Sequence, residues 1–82
     1  RLHFAEIVEV GPGQRVFDVL VNGLTALNDF DIFAAAGAQN TAVVRELNVF
    51  ADASGKLTLA FDKGPAGAPL VNGIEVLQPG AV

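Results

Sequence analysis

Apolar and polar positions alternate along this chain in short runs that read as strands. The clearest is Arg15–Asn22, where Val16, Phe17, Val19, Leu20 and Val21 favour a pleated, half-buried surface. Apolar side chains on both of its faces predict a central strand covered on both sides. Asn22-Gly23 closes the run with a pair that tolerates positive φ in a two-residue hairpin turn. Leu2 to Val10 reads as an earlier strand, joined to Arg15–Asn22 as a hairpin through the loop Gly11-Pro12-Gly13. It starts with no turn residue before it, so a further part of the domain is expected upstream.

Leu24 to Leu27 is a short return strand, and Asn28-Asp29-Phe30-Asp31 is turn-like, because three of its side chains can bond their own backbone. Ile32 to Gly37 has the material for one helical turn stopped by glycine. It is too short for a helix to stand alone, so an ordered loop is expected. Thr41 to Phe50 is a third long strand with Val43, Arg45, Leu47 and Val49 inward and Phe50 on the more polar face. Asp52 to Gly55 is a turn. Lys56 to Lys63 alternates most cleanly, with Leu57, Leu59 and Phe61 inward. Gly64 to Pro69 is expected to be a stiff, unpaired loop. Leu70 to Leu77 is the last strand; Asn72-Gly73 inside it would leave arms too short for a stable hairpin. Gly73 is instead expected to mark a bulge or a close approach.

Five or six strands with regular turn signals and no long helix predict an all-β, antiparallel β-sandwich or barrel. One domain is expected over residues 1–78, with a tail at 79–82. A chain of 82 residues has room for one small domain. It lacks cysteine, so neither a disulfide nor a thiolate metal site is expected. A net charge of −4 with five scattered basic residues argues against a nucleic-acid partner, which needs a basic face. No apolar run is long enough for a membrane-spanning helix, and no membrane insertion is expected. There is no visible signal peptide and no initial Met, so the chain is expected to be processed or cut from a longer polypeptide.

Candidate chemistry is sparse. Glu6 and Glu9 stand three apart, which on a strand puts them on opposite faces and not across one scissile bond. A buried or edge Glu6 and a solvated Glu9 are expected instead. Asn28, Asp29 and Asp31 hold carboxylate and amide oxygens, but the apolar residues after them cannot complete a calcium shell. His3 is the only histidine and Ser54 the only serine, and they assemble no nucleophile–base set. Neither catalysis, nor a metal, nor a cofactor is expected. Phe4, Phe17 and Phe61 fit core positions. Phe30, Phe33 and Phe50 are candidates for an interaction surface, although Phe30 and Phe33 also suit a role as plugs holding their loop onto the sheets.

Several segments together carry a family resemblance. They are Leu2-His3-Phe4-Ala5-Glu6-Ile7, Gly13-Gln14-Arg15-Val16-Phe17-Asp18-Val19, Asn22-Gly23, Asp29-Phe30-Asp31-Ile32 and Gly73-Ile74-Glu75-Val76-Leu77. In this order they resemble the malectin domain, whose C-terminal half the chain looks like. The resemblance implies a β-sandwich of the galactose-binding jelly-roll kind. It also implies a non-catalytic carbohydrate-binding module on a secreted or cell-surface protein. In animal malectin an aromatic pair follows the Phe-Ala-Glu-aliphatic motif; those positions here are Val8 and Glu9. A sugar-contacting Asp before the last strand corresponds by position to Gly67 or a neighbour. The chain has six Phe but neither Trp nor Tyr, so the aromatic part of that site does not carry over.

Two functions follow as expectations. One is carbohydrate binding through the loops, at Val8, Glu9, Asn40, Gly67 and Asn72, with Glu9, Asn40 and Asn72 as polar contacts. The alternative is a structural or adhesive assembly module. Its open strand edges would pair with copies of itself as a homo-oligomer, with the missing N-terminal half of the domain, or with a neighbouring domain.

Overall fold

The computed structural model of the chain describes residues 1–77; the expected domain end at 78 and the tail at 79–82 lie outside the described residues. Six strands and one helical turn follow in the order β1 (Leu2–Ala5), β2 (Val16–Val21), β3 (Leu24–Phe30), α1 (Ile32–Ala36), β4 (Ala42–Arg45), β5 (Leu59–Ala66) and β6 (Gly73–Ile74). They form two three-stranded antiparallel sheets, ordered β4-β1-β6 and β3-β2-β5. The all-β, antiparallel expectation holds at this level.

β2 is the centre of its sheet, as its composition predicts. Phe17, Val19 and Val21 are buried, with half-buried residues between them. Asn22 and Gly23 take left-handed φ values of 49° and 81° and turn the chain straight into β3. The return strand is longer than expected. Asn28 to Phe30, read as a turn, belong to β3, and the register shifts against Phe17, Val19 and Leu20. Asp29 has φ 50°, and its amide donates to the Asp18 carboxylate at 2.7 Å. An irregular strand can absorb a left-handed residue as a bulge does, so the turn residues here bend a strand without ending it.

The predicted hairpin between Leu2–Val10 and Arg15–Asn22 does not form. β1 stops at Ala5 and lies in the other sheet, between β4 and β6. The third long strand shrinks to Ala42–Arg45, and the last to Gly73–Ile74. Gly64 to Ala66 are not loop; they extend β5, and Ala66 pairs with Val16. Gly73 is no tight approach either, since a Cβ there would make only ordinary contact with His3 at 3.6 Å.

Residues 32–36, expected as a loop, form one α-turn with both ends satisfied. The Asp31 carboxylate accepts from the Ala34 amide at 3.1 Å, and Gly37 caps the other end at φ 86°. The turn exists because it seats Ile32 in the core, where the side chain is fully buried. Tertiary burial supplies what a five-residue helix lacks on its own.

One core joins the sheets. Phe4 from β1 meets Phe30 at 4.8 Å and Phe17 at 6.0 Å between ring centroids, and Phe17 meets Phe30 edge-on at 87°. Tilted and edge-to-face pairs of this kind are favoured by the ring quadrupoles. Leu2, Val19 and Ile32 complete the buried cluster, and Phe61 and Val43 pack against it. The Arg45 guanidinium lies 5.4 Å from the Phe30 ring centroid, so the inward cation of β4 rests on an aromatic face.

Candidate functional site

The irregular segment 6–15 is organised by one carboxylate. Glu6 follows β1 directly, and its side chain is fully buried. One oxygen accepts from Arg15 Nε at 2.6 Å; the other accepts from the amides of Val8 and Glu9, both at 3.2 Å. Arg15 sits just before β2 and also donates from Nη1 to the Ala68 carbonyl at 2.8 Å. Burial raises the Glu6 carboxyl, but the Arg15 hydrogen bond, the two amides and the Arg15 charge outweigh it. The net displacement is below the ordinary glutamate range, and the group stays a carboxylate.

The surrounding loops are tied to the same point. The Asn40 amide donates to the Glu6 carbonyl at 2.7 Å, and Gln39 Nε2 reaches the carbonyls of Ile7 and Val8 at 3.3 Å. Gly67, at φ 67°, lies so close to the 14–15 backbone that a Cβ would stand 2.8 Å from the Gln14 carbonyl oxygen. Val8, Glu9, Asn40 and Gly67 therefore belong to one loop cluster around the Glu6–Arg15 pair. Within it Val8 is 63% exposed, next to exposed Ile7 and Val10, while Glu9 is half-buried. Asn72 belongs elsewhere. It lines the β1–β6 edge, donating its amide to the His3 carbonyl and accepting from the Ala5 amide at 2.8 Å.

The expectation of a buried Glu6 holds, but the opposite-face geometry does not apply, because residues 6–9 are no longer strand. Arg15 was missed. Its signal was an isolated cation opening the most apolar strand, with an acid inside the preceding apolar run. Among the three candidate interface aromatics, Phe30 is buried in the core, as its role as a plug requires; the interface candidacy is corrected, since it offers no surface. Phe33 is half-buried, and Phe50 is 91% exposed.

Phe50 stands on the segment that walls two open apolar grooves. The larger, about 460 Å³, runs between the sheets past Leu2, Val21, Leu47, Leu59 and Ile74. The smaller, about 260 Å³, lies between Phe50 and the start of β3. At the rim of the larger groove Arg1 pairs with Glu46 at 3.1 Å, and His3 pairs with Glu75. Among the described residues no cluster of metal-ligating side chains occurs, and no helix is long and apolar enough to cross a membrane.

The Malectin domain family matches residues 1–74. The chain belongs to the malectin family. Receptor-like protein 4 of Arabidopsis thaliana is 40% identical over 80 residues, covering 94% of this chain and 12% of the relative. The nodulation receptor kinase of Pisum sativum is 33% identical over 78 residues, covering 94% of the chain and 8% of the relative. Kinesin-like protein KIN-14R of Arabidopsis thaliana is 40% identical over 74 residues, covering 88% and 7%. The malectin-family chain thus spans about a tenth of the length of the curated relatives it matches. No solved structure matches it significantly.

Proposed function

We propose that this chain is a non-catalytic carbohydrate-binding module of the malectin kind, with a jelly-roll sandwich and a place on a secreted or cell-surface protein. The malectin match over residues 1–74 carries this reading. The names of two relatives, a receptor-like protein and a receptor kinase, support the location. The loop cluster around Glu6 is the proposed binding surface, with Val8 presenting apolar contact area and Glu9 and Asn40 presenting polar groups. Gly67 shapes the surface from behind by its close approach to Gln14. Asn72 contributes from the neighbouring β1–β6 edge. Calorimetric titration with maltose and nigerose, together with a glycan array, tests the reading. Saturable binding that is lost on blocking the loop cluster is expected; no binding to any glycan sinks it.

A second reading rests on a different observation. Phe50 is 91% exposed beside the groove of about 460 Å³, and Leu24, Ile74, Val76 and Leu77 are also exposed. An apolar surface of this kind marks an interaction site. In this reading the chain is an assembly module whose open face is covered by a homo-oligomeric copy or by another segment of the same domain. Sedimentation equilibrium decides: concentration-dependent association abolished by Phe50→Asp is expected, and a stable, soluble monomer excludes obligate assembly.

A further inference from the structure

We propose that the buried Glu6–Arg15 ion pair is the positioning element of the loop cluster, holding segments 7–10 and 67–68 directly and fixing the Glu6 backbone on which segment 39–40 docks. This rests on the reading of that cluster as the binding surface. Neither residue needs to touch a ligand. Both are turned inward, and their bonds go to backbone atoms of the surrounding loops.

The bond pattern carries the inference. The Glu6 carboxylate holds the amides of Val8 and Glu9 while pairing with Arg15, and the Glu6 carbonyl holds the Asn40 amide. Arg15 continues the chain of contacts to the Ala68 carbonyl. The ion pair thus reaches two loops that are far apart in sequence, 7–10 and 67–68, and the backbone carbonyl of Glu6 ties in a third at Asn40. A simple buried pair of structural use would be satisfied by its own strands. This one spends its acceptors and donors on loop backbone that has no ladder partner. The charges are also suited to the task, since ionised groups make the shorter and stronger hydrogen bonds to amides and carbonyls. Removing one partner leaves the other charge buried and unpaired.

Native-state hydrogen exchange of the 82-residue chain tests the proposal. In the wild-type protein the amides of Val8, Glu9 and Asn40 are expected to share one opening free energy, lower than that of Phe17 and Val19 in β2. Three unrelated opening energies would overturn it. Glu6→Gln keeps the side-chain shape and removes the charge. It is expected to speed exchange at the Val8 and Glu9 amides about tenfold or more beyond any acceleration shared with the β2 amides, with the Asn40 amide following through the displaced Glu6 backbone. Acceleration at Val8 and Glu9 no greater than that in β2, or none, would overturn the proposal. Arg15→Lys keeps the charge but loses the fork; it is expected to preserve protection at Val8 and Glu9 while shifting the resonances of 67–69.

Maltose titration separates this proposal from the reading beneath it. If the wild-type protein binds maltose, Glu6→Gln should weaken binding in step with loop opening; unchanged affinity with opened loops overturns the positioning role. If the wild-type protein binds no maltose, the carbohydrate reading fails, and the exchange data alone decide whether the pair holds the loops.

Discussion

Gly23, in the turn between β2 and β3, and Gly64, in β5, answer to different constraints. Gly23 needs its conformation: φ is 81°, and a Cβ there would meet open space. Gly64 needs its lack of a side chain: a Cβ would land on the Val16 carbonyl oxygen and press on Phe17 Cα. Strained φ alone costs on the order of 1 kcal/mol, whereas a clash with paired backbone costs about 1–3 kcal/mol or more. Gly64→Ala is therefore expected to lower the denaturant midpoint further than Gly23→Ala; the reverse order would show that β5 yields locally. Single residues were unequally legible in the sequence. Phe4 and Phe17 read as core and are core. Phe30 stays open between surface and plug, because Asn28 and Asp29 beside it look like a turn, and turn chemistry says nothing about a ring folded back against Phe4. Gly64 gave no signal, since its clash comes from a strand nearly fifty positions earlier.

The stretch between β1 and β2 shows what decides an element. Its apolar run has the composition of a strand, yet its donors are satisfied by side chains. Val8 and Glu9 amides go to Glu6, the Val10 amide to Gln14, and the Gly13 amide to Asp31 at 2.5 Å. Local side-chain acceptors can outcompete a ladder, and no composition rule reveals that competition in advance. The β2–β3 hairpin was legible because Asn22-Gly23 encodes its geometry locally. Arg15 anchors the irregular stretch, so Arg15→Met should cost about 3–5 kcal/mol by leaving Glu6 buried and unpaired. Adding Glu6→Leu should restore part of that loss, and urea unfolding of the single and double variants gives the comparison. A double variant no more stable than the single one would show that the pair does not act as a unit.

At the scale of the molecule, three carboxyls among the described residues are held below their ordinary values in the folded chain. Glu6 is described above. Asp52 is lowered by the Lys56 amide and by Ser54 in the turn it closes, and Glu75 by its hydrogen bond to His3. A depressed folded pKa gives stability that is complete above the unfolded pKa and lost as pH falls through the folded one. The chain should therefore hold its stability down to about pH 4.5, the reference glutamate value, and lose it progressively below that. Thermal unfolding followed from pH 7 to pH 3 reads this directly; stability that rises on acidification would contradict the assigned shifts. The buried member, Glu6, should account for most of the slope, because the two exposed carboxyls are screened by solvent. At this scale the family pattern placed the chain among all-β proteins, but the sheet order did not follow from it. Which strands lie side by side depends on long-range pairing such as β1 with β6, which joins residues about seventy positions apart.

The irregular register of β3 bears on how copies of the chain behave when crowded. Among the described residues β3 is an outer strand, so its outer side is a template on which an identical strand could be laid, and another on that. Such stacking requires a flat, repeatable backbone. The shifts opposite Phe17, Val19 and Leu20 and the left-handed Asp29 break that repeat, so strand-by-strand growth into a fibril finds no continuous surface to copy. The irregularity that makes β3 hard to read in the sequence thus also makes it a poor template for strand addition.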